Sequence, residues 1–154
     1  GGPKPATTLT VFGITVIATR VVLSILGDRL PQRLAVGGAL VTLALGLIVL
    51  AVAASFAVAA AGAALMGVGF APLFPALTRW SARNLGPSGQ LGAGLSIFGS
   101  FTTVGYAIGS LSTGVVIDWY GSRPAFLGMG LAQLAVGVGL LAWGARRRPH
   151  PTTE

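Results

Sequence analysis

Between its charged residues the chain is apolar over four long windows: Leu9 to Gly27, interrupted by Arg20, then Leu34 to Thr78, Leu85 to Ile117 and Pro124 to Ala145. A helix needs about 20 apolar residues to cross the roughly 30 Å hydrocarbon core of a bilayer. The second window has 45 residues. As one helix it would reach about 67 Å at about 1.5 Å per residue, more than tilting absorbs, so it folds back on itself. Placing the turn at Ala53 to Phe56 predicts five spans, about 9–27, 34–52, 57–78, 91–117 and 124–145. They make one transmembrane bundle over residues 1–145, with a polar tail at 146–154 that holds Pro149, His150 and Pro151. The expected class is an all-α integral membrane protein whose first partner is the lipid bilayer.

Composition narrows the function. Charged residues are 8% of the chain, against roughly a quarter in a soluble domain, and the mean hydropathy is +0.83. A net charge of +7 suggests nucleic acid in a polar sequence. Here the cations are sparse and not interleaved with aromatics as a phosphate-tracking groove requires, so no nucleic-acid partner is expected. They fit membrane topology instead, because Lys and Arg collect on the cytoplasmic side of short loops. With five spans, seven fall on one side (Arg29, Arg33, Arg79, Arg83 and Arg146 to Arg148), and Lys4 and Arg123 fall on the other. Four spans would divide them six to three. The N-terminus is therefore expected outside and the tail in the cytoplasm, with no cleaved signal peptide. Trp80, Trp119, Tyr120 and Trp143 fall near predicted helix ends, as headgroup-level anchors do. Asp28, Asp118 and Glu154 are the only acids and cysteine is absent. No carboxylate pair, metal cluster or Ser-His-Asp set can assemble, so neither an enzyme, a metal site nor a cofactor is expected.

The chain repeats itself at an offset of 90. Ser24 to Arg33 and Gly114 to Arg123 both read small residue, three more, Asp, four more, Arg. Each copy closes one helix and opens the next. Asp28 ends the first span and Asp118 the fourth, so an odd number of crossings puts the copies on opposite membrane faces. This is the mark of an inverted three-helix repeat. The first span then matches the fourth and the second the fifth. The third lacks a counterpart, which is expected before Gly1 in a six-helix unit.

These residues resemble a known family. Ser24 to Arg33 is similar to the loop signature G-x-L-x-D-R-x-G-R-R of the major facilitator superfamily, with Leu26, Asp28, Arg29 and Arg33 matching. Ser24, Pro31 and Gln32 depart from it, which bears on the tightness of the turn. Gly114 to Arg123 resembles the G-x-x-x-D-x-x-G-x-R that follows the family's eleventh helix, and Gly67 to Pro75 resembles its tenth. The resemblance covers helices eight to twelve, part of a six-helix half built from inverted three-helix repeats. It implies the C-terminal portion of a secondary transporter that moves a small solute by alternating access, with the N-terminal half as partner. The implied location is a cell membrane, such as a bacterial inner membrane. It also implies that Asp28 locks against a helix of the opposite half. The residues themselves leave open a turn-capping Asp28 flanked by topogenic Arg29 and Arg33, and the same choice, with a weaker signal, for Asp118 and Arg123. A non-transporting bundle, an assembly subunit or an inactive fragment is the alternative function.

Other candidates come from position. Arg20 lies well inside a span, where a cation costs about 2.5–3.5 kcal/mol. Gly13, Arg20, Ser24 and Gly27 share a stripe at about 100° per residue. Arg20 either serves a cavity that takes an anion or snorkels to the headgroups. Ser96, Ser100, Thr103 and Ser110 line one face of the fourth span, opposite Gly94, Gly105 and Gly109. Their hydroxyls either wet a cavity or bond their own helix. Gly67, Gly69, Pro72 and Pro75 are expected to interrupt the third span, where Phe70 and Phe74 either line an apolar pocket or pack against lipid and neighbouring helices.

Overall fold

The computed structural model describes residues 5–26, 32–84 and 91–146, and these form five helices: α1 (Pro5–Leu26), α2 (Gln32–Ala51), α3 (Phe56–Asn84), α4 (Leu91–Tyr120) and α5 (Ser122–Arg146). All five contain a stretch long and apolar enough to cross a membrane. The chain leaves α2 at Val52 and re-enters helix at Phe56. Ser55 opens α3 by accepting the Val58 N–H on its Oγ at 3.4 Å and the Ala59 N–H on its carbonyl at 3.1 Å, as a residue preceding a helix does.

Helix directions follow from which residues meet. Gly46 of α2 lies against Met66 and Gly62 of α3, and Gly69 lies against Ala39 and Leu43, so the two helices run antiparallel. Gly37 meets Leu141 and Gly137 of α5, and Gly130 meets Ala44 and Ile48, again antiparallel. Gly67 of α3 meets Phe12 and Thr15 of α1, while further along Thr19 to Ser24 share a cavity with Ala71 to Arg79. α1 and α3 therefore run parallel. α4 and α5 form a hairpin about Gly121, and the Thr113 hydroxyl reaches Met129 Sδ at 3.5 Å. Thus α1, α3 and α5 point one way and α2 and α4 the other. The ends of α1 at Leu26 and of α4 at Tyr120 lie on opposite faces of the bundle.

The interior is made of small residues. Ala39, Ala44, Ala51, Ala59, Ala63, Ala71, Ala76 and Ala125 are buried together with Leu47, and buried glycines sit between them at the α2–α3, α1–α3 and α2–α5 contacts. Lipid tails are as apolar as leucine, so helices associate in a bilayer through close backbone approach, which small side chains permit. Gly67 and Gly69, about 200° apart on the helix wheel, face α1 and α2 respectively and place α3 between them.

One expectation is corrected here. The Gly- and Pro-rich stretch does not interrupt the third span: α3 continues through Pro72 and Pro75 to Asn84. The prolines withhold an N–H from the carbonyls of Val68 and Ala71 four residues back, but surrounding protein lets a transmembrane helix tolerate that loss.

Candidate functional site

α1 packs on α3, with Gly67 at one point of close approach. Gly67 admits the Phe12 carbonyl and the Thr15 side chain, and the Phe12 and Phe70 rings pack with centroids 5.9 Å apart and planes tilted by 56°. Towards Leu26 a cavity of about 520 Å³ separates α1 from α2, with α3 as its third wall. Arg20 and Ser24 line it from α1, Gly38 and Thr42 from α2, and Phe74 and Arg79 from α3.

Polar and apolar residues line it together. Arg79 closes the membrane-spanning part of α3. Arg20 lies six residues before the end of α1, about 9 Å in at about 1.5 Å per residue. Val68, Ala71 and Pro72 line the cavity deeper along α3. Both arginines are exposed, and Arg79 Nε donates to the Pro75 carbonyl at 3.4 Å. Thr42 and Ser24 donate their hydroxyl protons to the carbonyls of Gly38 and Val21, at 2.8 and 2.7 Å. No acid lines the cavity among the described residues. The arrangement is a mostly apolar recess that Arg20 and Arg79 also line.

The other candidates fall elsewhere. Phe70 engages Phe12 and does not line the cavity, whereas Phe74 does. Asp28 and Arg29 lie outside the described residues. Arg33 stands in the first turn of α2, with its side chain also outside them. Asp118 and Arg123 flank the α4–α5 turn and are exposed. Gly121 makes that turn with φ +84°, a left-handed conformation that glycine adopts without steric cost, and its N–H donates to the Ile117 carbonyl at 2.8 Å.

On α4 the polar line is present and exposed, but its hydroxyl protons turn inward. Ser100 donates to the Ser96 carbonyl at 2.9 Å, Thr103 to Gly99 at 3.0 Å and Ser110 to Ala107 at 3.1 Å. Their oxygens keep only acceptor capacity. The opposite glycines are bare, since a Cβ at Gly105 or Gly109 would meet nothing within 4 Å.

Sequence reasoning assigned Arg79 to topology alone and passed over Phe12. That Arg79 shares a cavity with Arg20, and that Phe12 packs on Phe70, depends on the register between α1 and α3, helices separated by a whole crossing. No local spacing encodes that register.

Among known families, the model described as Major Facilitator Superfamily matches residues 6–154 of the chain. No curated protein and no solved structure matches it.

Proposed function

Because the chain belongs to the Major Facilitator Superfamily, we propose that it supplies helices eight to twelve of a secondary active transporter, which moves a small solute across a cell membrane by alternating access. The observation that carries this reading is the alternation of helix directions. It sets the ends of α1 and α4, which lead into the two D-x4-R turns, on opposite faces of the bundle. An inverted repeat of this kind gives a transporter two equivalent gates around a fixed site. In this reading Asp28, with Arg29 and Arg33, locks one face against a helix of the N-terminal half, Asp118 and Arg123 mark the equivalent turn on the other face, and the tail is cytoplasmic. The exposed hydroxyl line of α4 supports a cavity shared with a partner half on that side.

The chain has no cysteine, so single introduced thiols report position without background. In intact cells and inverted vesicles, a membrane-impermeant maleimide should modify Gln32→Cys only from the cytoplasmic face and Ser122→Cys only from the opposite face. Modification of both from one face overturns the inverted repeat. If Asp28 is a lock, adding Asp28→Asn should raise the cytoplasmic labelling rate of Ser100→Cys several-fold in the assembled transporter. An unchanged rate leaves Asp28 as a turn cap.

A further inference from the structure

Gln133 lies midway along the membrane-spanning stretch Ser122–Trp143 of α5, and its carboxamide bonds to nothing among the described residues. In a bilayer such a group calls for a partner on another helix. The packing of the bundle points to where that partner stands. Gly37 of α2 meets Gly137 and Leu141 of α5, and Gly130 meets Ala44 and Ile48. The level of Leu43 on α2 is therefore opposite that of Gln133 on α5, and these two positions are themselves 90 apart, as the sequence repeat is. An exchange axis through this crossing swaps α2 with α5 and α1 with α4. It carries the place of α3 onto α4 and α5, where no described helix stands.

The two places differ in being filled or open. Thr15 of α1 and Ala39, Leu43 and Gly46 of α2 lie against α3, and Ala39 and Gly46 are buried. Their counterparts 90 residues on are Gly105, Met129, Gln133 and Val136. A Cβ at Gly105 would meet nothing within 4 Å, and Met129 and Val136 are 41% and 57% exposed. We infer that Gln133 anchors one further transmembrane helix in the groove of α4 and α5, through a hydroxyl or carboxamide side chain of that helix at mid-membrane. The helix runs parallel to α4 and antiparallel to α5, as α3 runs to α1 and α2. α3 directly precedes α4 in the chain yet packs on α1 and α2; its counterpart directly precedes α1 and packs on α4 and α5. At the filled place α1 presents Thr15 and α3 the glycine. At the open one α4 presents the glycine, so the entering helix carries the side chain. The origin of the occupant rests on the reading of the chain as helices eight to twelve, whereas the groove and the unbonded Gln133 do not.

Val136 and Leu131 form a matched pair for the test, each 57% exposed but about 140° apart around α5 at about 100° per residue. In the full-length protein in liposomes, a nitroxide on Val136→Cys should meet dissolved oxygen several-fold less often than one on Leu131→Cys. Equal collision rates overturn the groove. p-Benzoylphenylalanine at Val136, irradiated in intact cells, identifies the occupant by mass spectrometry of the adduct. An adduct to the segment directly preceding α1 supports the inference. An adduct to a second copy, to lipid or to any other segment overturns it, as does a full-length protein with no helix before α1. A double-mutant cycle between Gln133→Leu and an alanine at the polar residue facing it should give about threefold coupling in the unfolding equilibrium, the average worth of a hydrogen bond between membrane helices. Absence of coupling removes Gln133 from the contact. None of these measurements reads transport, so an inactive bundle that passes them refutes the transporter and leaves the groove standing, and an active transporter that fails them does the reverse.

Discussion

Replacing Gly69 by alanine tests the closest approach in the bundle. The added Cβ would lie 2.5 Å from Leu43 N, 2.7 Å from Ala39 O and 2.9 Å from Leu43 Cα. All three are backbone atoms of α2, so no side-chain rotation relieves the overlap. To reach ordinary contact near 3.4 Å the helices must part by about 0.9 Å, and a gap of about that size forfeits a quarter to a half of the dispersion energy along the shared face. Overpacking costs about 1–3 kcal/mol, and the better helix propensity of alanine returns about 0.5–1 kcal/mol. The expected net loss is up to about 2.5 kcal/mol. Gly38→Ala is the matched control: its Cβ meets nothing within 4 Å, so only the propensity gain remains. Thermal unfolding in detergent, followed by fluorescence-detected size exclusion, should therefore shift down for Gly69→Ala and up for Gly38→Ala. Equal shifts in one direction refute the close packing of α2 on α3.

Three further outcomes are expected. Gly121→Ala should cost about 1–2 kcal/mol through its positive φ alone, since the position is sterically open; Gly121→Asn should cost less, and equal losses in the same unfolding assay count against a left-handed turn. Arg20→Cys should react with aqueous methanethiosulfonate, because Arg20 lines an open cavity and is exposed; complete protection contradicts that placement. A double-mutant cycle of Phe12→Leu and Phe70→Leu should give a coupling of about 0.5–1.5 kcal/mol, and zero coupling dissolves the α1–α3 aromatic contact.

Much of the architecture was legible because a bilayer imposes a length. The 45-residue window had to turn back, and the chain does so at Val52 to Ser55. The family was legible in Leu26, Asp28, Arg29 and Arg33, whose order carries more information than their composition. Gly67 and Gly69 were open to two uses from sequence, interrupting a helix or letting others approach. The structure takes the second, since each faces a different neighbour and α3 runs on unbroken. Periodicity shows that a residue lies on a stripe, but which helix meets the stripe is set by packing between segments far apart in the chain.

α4 shows where that limit bears on function. Its hydroxyl line and its glycine line were both visible at helical spacing, and each had a reading that needed a neighbour. Among the described residues none arrives: the hydroxyl protons of Ser100, Thr103 and Ser110 go to carbonyls of their own helix, and Gly105 and Gly109 face open space. α1 is related to α4 by the repeat, yet its contact level is filled, with Phe12 against Phe70 and Thr15 against Gly67 of α3. If the repeat governs packing as it governs direction, α4 should be held by a parallel helix placed as α3 is on α1. The glycine line is the surface that permits such an approach, because it offers backbone without side chains between. The serine line, already satisfied within the helix, can face either water or lipid at little cost. The two faces of α4 therefore carry different expectations: closure by a helix at Gly105 and Gly109, and solvent or solute at Ser96, Ser100 and Thr103.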